Sequence, residues 1–250
     1  MERIVQAALL PVFIGTWEVS GRLGWLDTRV LSLPSSIAAR TVADVASGLL
    51  LHHTAVTLAE MVLGFLAGAL TGLLCGLVLG AFPLARHTLM PYLAAIYSIP
   101  RPALAPLFVL WFGVGFLSKL VLVVTLVYFV FLLHVVAGLQ TIEARHVDWL
   151  RTLGASRRQV LQRVGIPHLL PWLFASTKLG LALALIGAIV GEFISSRAGL
   201  GFVMMHAAEN LDREGVLSGI VVLSGVVMGI IIPLSALERR LFRWQVDVRL

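Results

Sequence analysis

Long apolar stretches separated by short polar segments recur along the whole chain. A helix needs about 20 mainly apolar residues to cross a bilayer. The pattern therefore predicts an all-α integral membrane protein with about six transmembrane helices, arranged as one domain over residues 1–250. The predicted spans cover residues 4–19, 54–82, 90–113, 118–140, 169–193 and 216–237.

The first apolar stretch is similar to the core of a signal peptide, but its residues favour a retained span. It contains Pro11, Trp17 and Glu18, which are unusual in such a core. No small-residue cleavage pattern follows it closely. We therefore expect this stretch to stay in the protein as its first helix.

The more polar segment after the first span carries a helix-start signal at Leu33-Pro34. Either Ser35 or Ser36 is the predicted cap, since serine side chains accept hydrogen bonds from the first free backbone amides of a helix. Residues 37–51 then form either an interfacial helix or an extension of the second span.

Four prolines interrupt the third apolar stretch, at Pro91, Pro100, Pro102 and Pro106. Proline removes a backbone donor and its ring collides with the preceding helical turn. The third span is therefore predicted to be kinked or broken. Such a segment is stable at membrane depth only where other helices or a water-filled path cover it.

The second span carries a glycine at every fourth position. Residues with this spacing lie on one face of a helix, and small residues there let another helix backbone approach closely. The row favours tight packing inside one bundle, with a subunit interface as the alternative. Its members are Gly64, Gly68, Gly72, Gly76 and Gly80.

The loop between the fourth and fifth spans, at about residues 141–168, has helical periodicity on both sides of a break. The first half, residues 142–153, is predicted to end at Gly154. Glycine is the usual residue just beyond a helix end because it adopts positive φ without strain. Apolar Val147, Leu150 and Leu153 would face the bundle or a partner.

The second half of this loop is predicted to start at Ser156, with Gln159 three residues later as its capping box partner. It continues to Val164, and Pro167 is expected to end it. Two short helices around a tight glycine turn would form a rigid protrusion from the membrane.

Composition strengthens the membrane assignment. The mean hydropathy is +0.96, and 59% of the residues are hydrophobic while 13% are charged, which is far from soluble globular chains. The net charge of +6 does not indicate nucleic-acid binding. The arginines lie just beyond the apolar spans, and aromatic and basic residues do not interleave.

The arginines also predict the orientation. Six crossings place both termini on one side, and the side richer in Arg and Lys faces the cytoplasm. The terminal side holds Arg3, Arg86, Arg145, Arg151, Arg157, Arg158, Arg163, Arg239, Arg240, Arg243 and Arg249. The other side holds Arg22, Arg29, Arg40, Arg197 and Arg213. Both termini are therefore predicted to be cytoplasmic.

Enzymatic chemistry is not expected from this chain. Its two lysines, Lys119 and Lys178, do not follow a glycine, so there is no phosphate-binding Gly-Lys-Ser/Thr loop. The seven histidines and the single Cys75 form no metal-binding cluster. Any nucleotide chemistry would belong to a partner protein.

Several ionisable residues lie within predicted spans. A charge at the centre of a lipid-facing helix costs roughly 2.5–3.5 kcal/mol, so these side chains should face protein or water. Arg101 and Lys178 are candidates for a translocation path that attracts anions. Alternatively, they reach the headgroups or pair with a carboxylate. Glu192 lines an external gate or caps a packed turn.

The 141–168 loop resembles the EAA signature of bacterial ABC importer permeases, which reads E-A-A, three residues, Gly, nine residues, then I-x-L-P. Aligned on Gly154, Asp148-Trp149-Leu150 takes the place of E-A-A, and residues 164–167 (Val-Gly-Ile-Pro) take the place of I-x-L-P. Glu143-Ala144 falls five residues too early. Trp and Leu replace two alanines, so the fit to an ATPase would differ in detail.

Further motifs resemble the branch of this family that handles nitrate, taurine and aliphatic sulfonates. They are Ser98-Ile-Pro, Leu104-Ala-Pro-Leu, Leu110-Trp-Phe-Gly113, Ser118-Lys119, Arg151-Thr-Leu-Gly-Ala-Ser156, Gly199-Leu-Gly201 and Leu237-Glu-Arg-Arg-Leu.

The resemblance implies a type I ABC importer permease fold in a bacterial cytoplasmic (inner) membrane. Two copies of the chain would form a homodimeric pore, a cytoplasmic ABC ATPase dimer would bind ATP and Mg, and an extracytoplasmic binding protein would deliver substrate. The permease itself would need no cofactor. The implied ATPase-coupling residues are Asp148, Trp149, Leu150, Gly154, Ala155, Ser156, Arg157 and Pro167.

The resemblance further implies a small anionic substrate, such as nitrate, taurine or a sulfonate. The same role for a pyrimidine precursor or an aromatic acid is the alternative. A secondary transporter is the rival from another class, but it would normally show repeated halves or intramembrane acidic ion sites.

Overall fold

The computed structural model describes residues 2–27 and 31–241, and the side chains of residues 9–27, 31–156 and 158–241. The described residues are helical and contain no strand. The α-helices are α1 (Glu2–Arg22), α2 (Pro34–Ala46), α3 (Leu49–Ala81), α4 (Pro83–Ser98), α5 (Ala105–Phe112), α6 (Phe116–Gln140), α7 (Ala144–Thr152), α8 (Arg157–Val160), α9 (Ile166–Ile194), α10 (Leu200–Glu209) and α11 (Arg213–Leu241). A 3-10 turn at Arg101–Leu104 precedes α5, and a π turn at Leu161–Gly165 precedes α9.

Four helices among the described residues are long and apolar enough to cross a membrane. They are α3, α6, the continuous helix Arg158–Ile194 and α11. The bent pair Pro83–Ser98 and Arg101–Phe112 brings the number to five if it counts as one span. Helix α1 covers the first predicted span but is not among these, so the structure supports four or five of the six spans.

The third span is broken where the prolines predicted. Its two parts meet at 75°. Ile99, which precedes Pro100, is extended with φ −69° and ψ 125°, because the proline ring disfavours a helical conformation at the residue before it. The helical direction therefore changes between Ser98 and Arg101.

The described residues divide into two compact units, Met1–Thr57 with Arg197–Val227 and Leu58–Ser196 with Met228–Leu250. We call them the first and second units. The interpretation of the chain as one domain stays a prediction.

In the first unit, helix α2 begins differently from the prediction. Leu33 is its N-cap residue and neither Ser35 nor Ser36 caps it. The Ser35 amide and hydroxyl instead donate to the Glu18 carboxylate over 3.0 and 2.8 Å. A carboxylate on α1 thus replaces the local serine cap, which a sequence pattern cannot reveal.

Most of the stretch 37–51 does not extend the second span; only residues 49–51 belong to α3, the helix of that span. Helix α2 ends at Ala46, and Gly48 has φ +80° before α3 begins at Leu49. Because a positive φ interrupts the helix at Gly48, the extension alternative is wrong for residues 37–46, which form a separate helix. The interfacial position of α2 stays a prediction.

The first unit also contains an arginine network on α2. Arg40 bonds Asp44 at 2.9 Å and pairs with Asp212 at 3.1 Å. The hydrogen bond with Asp44 raises the pKa of the Arg40 guanidinium.

In the second unit, the glycine row of α3 packs directly against α6. A Cβ at Gly68 would lie 2.8 Å from the Val124 carbonyl oxygen, and one at Gly72 would collide with the Tyr128 carbonyl oxygen. Gly64, Gly76 and Gly80 face side chains of α6. The row therefore serves helix packing within this chain.

Candidate functional site

The loop between α6 and α9 contains a hydrogen-bonded turn around Gly154. The Ala155 amide donates to the Leu150 carbonyl over 3.0 Å, and the Gly154 amide donates to the Arg151 carbonyl over 2.9 Å. These are the two bonds of a Schellman motif, which satisfies the last carbonyls of a helix. Gly154 has φ +82°, as predicted. The helix itself starts two residues later than predicted, with Glu143 as its N-cap residue.

The second half of the loop begins with the predicted capping box. The Ser156 amide donates to Gln159 Oε1 over 2.7 Å, and the Gln159 amide donates to Ser156 Oγ over 3.3 Å. Two free amides at the start of α8 are thereby satisfied.

The prediction that Pro167 ends the second helix is wrong. Helix α8 continues through the π turn into α9, so Arg158–Ile194 is one continuous helix with Pro167 in the first turn of α9. The wider π turn before it changes the hydrogen-bond register, which accommodates the missing N–H.

The turn presents apolar side chains outward. Trp149 is 65% and Leu153 is 68% exposed, while Val147 and Leu150 are half-buried. Arg151, Arg158 and Arg163 are exposed around them. Exposed aromatic and arginine side chains on a rigid element are typical of protein interfaces.

The remaining coupling-loop residues occupy the same turn. Asp148 and Ser156 are exposed and Ala155 is half-buried. Arg157 starts α8, and its side chain lies outside the described ones. At the base of the loop, Thr141 Oγ1 and His168 Nε2 are hydrogen-bonded at 3.0 Å, which joins the end of α6 to the start of α9.

Arg101 lies at the break in the third span, and its side chain contacts residues of α4 and α6. Its guanidinium donates to the Tyr97 carbonyl over 3.0 Å and to the Ile96 carbonyl over 3.4 Å. It also lies over the Tyr97 and Phe129 rings, 4.6 and 4.4 Å from their centroids. The arginine thus satisfies carbonyls at the end of α4, and two aromatic rings cover its charge.

Lys178 forms an ion pair with Glu238 of α11. Both side chains are about one third exposed, at 37% and 32%. This arrangement matches the alternative that the lysine pairs with a carboxylate.

Glu192 is 2% exposed and lies beside Glu60, with which its side chain interacts. Glu60 forms an ion pair with Lys119, which is 4% exposed. Each of the three path candidates, Arg101, Lys178 and Glu192, therefore has separate partners. The structure does not bring them together. Sequence reasoning also missed Lys119, because its partners Glu60 and Ser196 lie far from it along the chain.

Comparison with known proteins agrees with this architecture. Residues 64–244 match the family described as binding-protein-dependent transport system inner membrane component. The chain is 30% identical over 242 residues to a Bacillus subtilis (strain 168) protein described as an aliphatic sulfonates transport permease, SsuC, covering 96% of this chain and 88% of that one. It is 33% identical over 241 residues to the riboflavin transport system permease protein RibX of Chloroflexus aurantiacus, covering 96% and 89%.

A solved structure of the MetNI methionine ABC transporter, in an inward-facing conformation, shares the fold. The TM-score is 0.64 at 20% identity, and the match covers 74% of this chain and 92% of that one. This chain therefore belongs to the family of binding-protein-dependent transport system inner membrane components and is the permease component of an ABC importer.

Proposed function

We propose that two copies of this permease form a pore and that a cytoplasmic ABC ATPase dimer docks on the 141–168 loop of each copy. The turn around Gly154 carries this proposal, because it is locked by local hydrogen bonds and presents Trp149 and Leu153 outward. ATP and Mg are bound and used by the ATPase. An extracytoplasmic binding protein delivers the substrate.

The loop transmits force because it is both rigid and anchored. The Schellman turn and the capping box fix its two helices, and α8 continues without interruption into α9. A displacement of the docked surface therefore moves α9 directly. An ATP-driven transition needs such a mechanical link between two arrangements.

Replacing Trp149 with alanine is expected to weaken docking of the ATPase. A central aromatic anchor in an interface contributes about 2 kcal/mol or more, which corresponds to roughly 30-fold weaker binding. The measurement is copurification of the partner ABC ATPase, quantified against permease at several ATPase concentrations.

Trp25→Ala is the matched control. Trp25 is 76% exposed but lies outside the loop, so its removal should leave ATPase binding unchanged. Equal binding by the wild type and Trp149→Ala would contradict docking through this turn.

We propose a small anionic organic or inorganic solute of the sulfonate, taurine or nitrate kind as the substrate. Similarity to a relative described as an aliphatic sulfonates permease supports this class. Similarity to a riboflavin permease favours an aromatic compound, such as a pyrimidine precursor or an aromatic acid, as the alternative. Arg101 and Lys178 have partners within the chain, so selection is assigned mainly to the binding protein. Calorimetric titration of that protein with taurine, nitrate and riboflavin distinguishes these classes.

The proposed orientation places the loop in the cytoplasm of a bacterial cell and Arg213 outside. In a Cys75→Ala background, Arg213→Cys should react with an impermeant maleimide in intact cells, whereas Arg158→Cys should react only after permeabilisation. Both positions are exposed. Labelling of position 158 in intact cells would overturn the orientation. Arg29, Arg243 and Arg249, which also entered the charge count, lie outside the described residues.

A further inference from the structure

A buried ionic cluster ties three helices of the second unit together at the end of α6 and α9 opposite the loop. Lys119 of α6 pairs with Glu60 of α3 and donates a hydrogen bond to Ser196 Oγ over 2.8 Å. Glu192, in the last turn of α9, lies beside Glu60. Lys119, Glu60 and Glu192 are 4%, 0% and 2% exposed. We call these three residues the clamp.

The clamp is built into the packing of α6 against α9. A Cβ at Gly191 would lie 2.8 Å from Lys119 Cγ, so only glycine leaves room for the lysine stem. Removing one partner of a buried ion pair leaves the other charge uncompensated, which strongly disfavours the packed arrangement.

The same two helices remain in close contact down to the loop. A Cβ at Gly187 of α9 would lie 2.7 Å from Leu126 Cδ1, and one at Gly138 of α6 would lie 2.8 Å from the Trp172 ring. At the loop end, Thr141 and His168 are hydrogen-bonded. Helices α6 and α9 are therefore antiparallel and joined at both ends, about 33 Å apart along α6.

We propose that Lys119, with Glu60 and Glu192, is the positioning group that makes α6 and α9 one rigid lever from the ATPase-docking loop to the opposite end of the bundle. This inference rests on the proposed function. Motion at the loop reaches the far end because neither helix can slide past the other. Without the clamp, the ends of α6 and α9 opposite the loop separate, and motion at the loop no longer moves them together.

The test follows nucleotide-dependent movement at the far end of α6. Leu117, two residues before Lys119, is 50% exposed, so Leu117→Cys in a Cys75→Ala background serves as the single reporter thiol of the permease. Its rate of reaction with N-ethylmaleimide is measured in the purified permease–ATPase complex, with and without Mg-ATP and vanadate. We expect trapped nucleotide to change this rate severalfold in the parent protein, and Lys119→Met to abolish the change while the ATPase stays bound.

The charge-exchanged variant Lys119→Glu with Glu60→Lys should restore part of the nucleotide response, since it restores opposite charges across α3 and α6.

If Lys119→Met does not assemble, Glu60→Gln is measured instead, because it keeps the shape and an acceptor oxygen while removing the charge. A purely structural role would alter the labelling rate equally with and without nucleotide. A full nucleotide response in an assembled Lys119→Met or Glu60→Gln complex overturns the clamp. Failure of the ATPase to copurify with the parent protein contradicts the proposed function instead.

Discussion

Replacing Gly154 with valine is expected to abolish uptake while the permease remains inserted in the membrane. Gly154 has φ +82°, a conformation that costs a residue with a side chain about 1–2 kcal/mol and is worse for a β-branched residue. The valine variant must therefore leave this conformation and break the turn that presents Trp149 and Leu153. ATPase copurification should fall with uptake, and both are measured on the same membranes.

Two control variants distinguish loss of the Gly154 turn from a general effect of backbone strain. Gly154→Asn should retain most activity, because asparagine tolerates positive φ and no atom lies within 4 Å of a Cβ at this position. Gly48→Val introduces the same strain at φ +80° in an equally open position outside the loop, and it should leave ATPase binding intact. Wild-type uptake and ATPase binding by Gly154→Val would remove this loop from the mechanism.

Replacing Gly72 with leucine is expected to produce a large loss of stability. Its Cβ would collide with the Tyr128 carbonyl oxygen and lie 2.9 Å from Phe131 Cβ. A backbone carbonyl cannot move aside as a flexible side chain can, so α3 and α6 must separate. Overpacking costs about 1–3 kcal/mol or more. The melting temperature of the purified permease should fall by several degrees.

Gly229→Leu is the matched control for this substitution. Gly229 lies within α11, and no atom lies within 4 Å of a Cβ built there. Its replacement tests the effect of adding a leucine to an apolar helix without a close neighbour. Equal melting temperatures of the Gly72 and Gly229 variants would contradict the packing of the glycine row against α6.

The Gly154 turn and the capping box were predictable because their interactions are short in sequence. The capping box joins residues three apart, and the two bonds of the Gly154 turn span five residues or fewer. Hydrogen bonds of this kind depend on residue type and spacing alone. The continuation of the helix through Pro167 was not predictable, because the π turn that accommodates the proline leaves no residue signature here.

Apolar length and glycine spacing in the sequence alone were enough to indicate the main spans and a close helix contact. The helix that fills the glycine groove was decided only by tertiary structure. The partners of the charged side chains were likewise decided only by tertiary structure. Lys178 pairs with a residue 60 positions away, and Lys119 bonds one 77 positions away. A charge buried in an apolar bundle must find a partner, but the helix arrangement determines which residue that is. Charge, spacing and hydropathy therefore made Arg101 and Lys178 candidates for a path, whereas three-dimensional packing provides both with partners inside the chain.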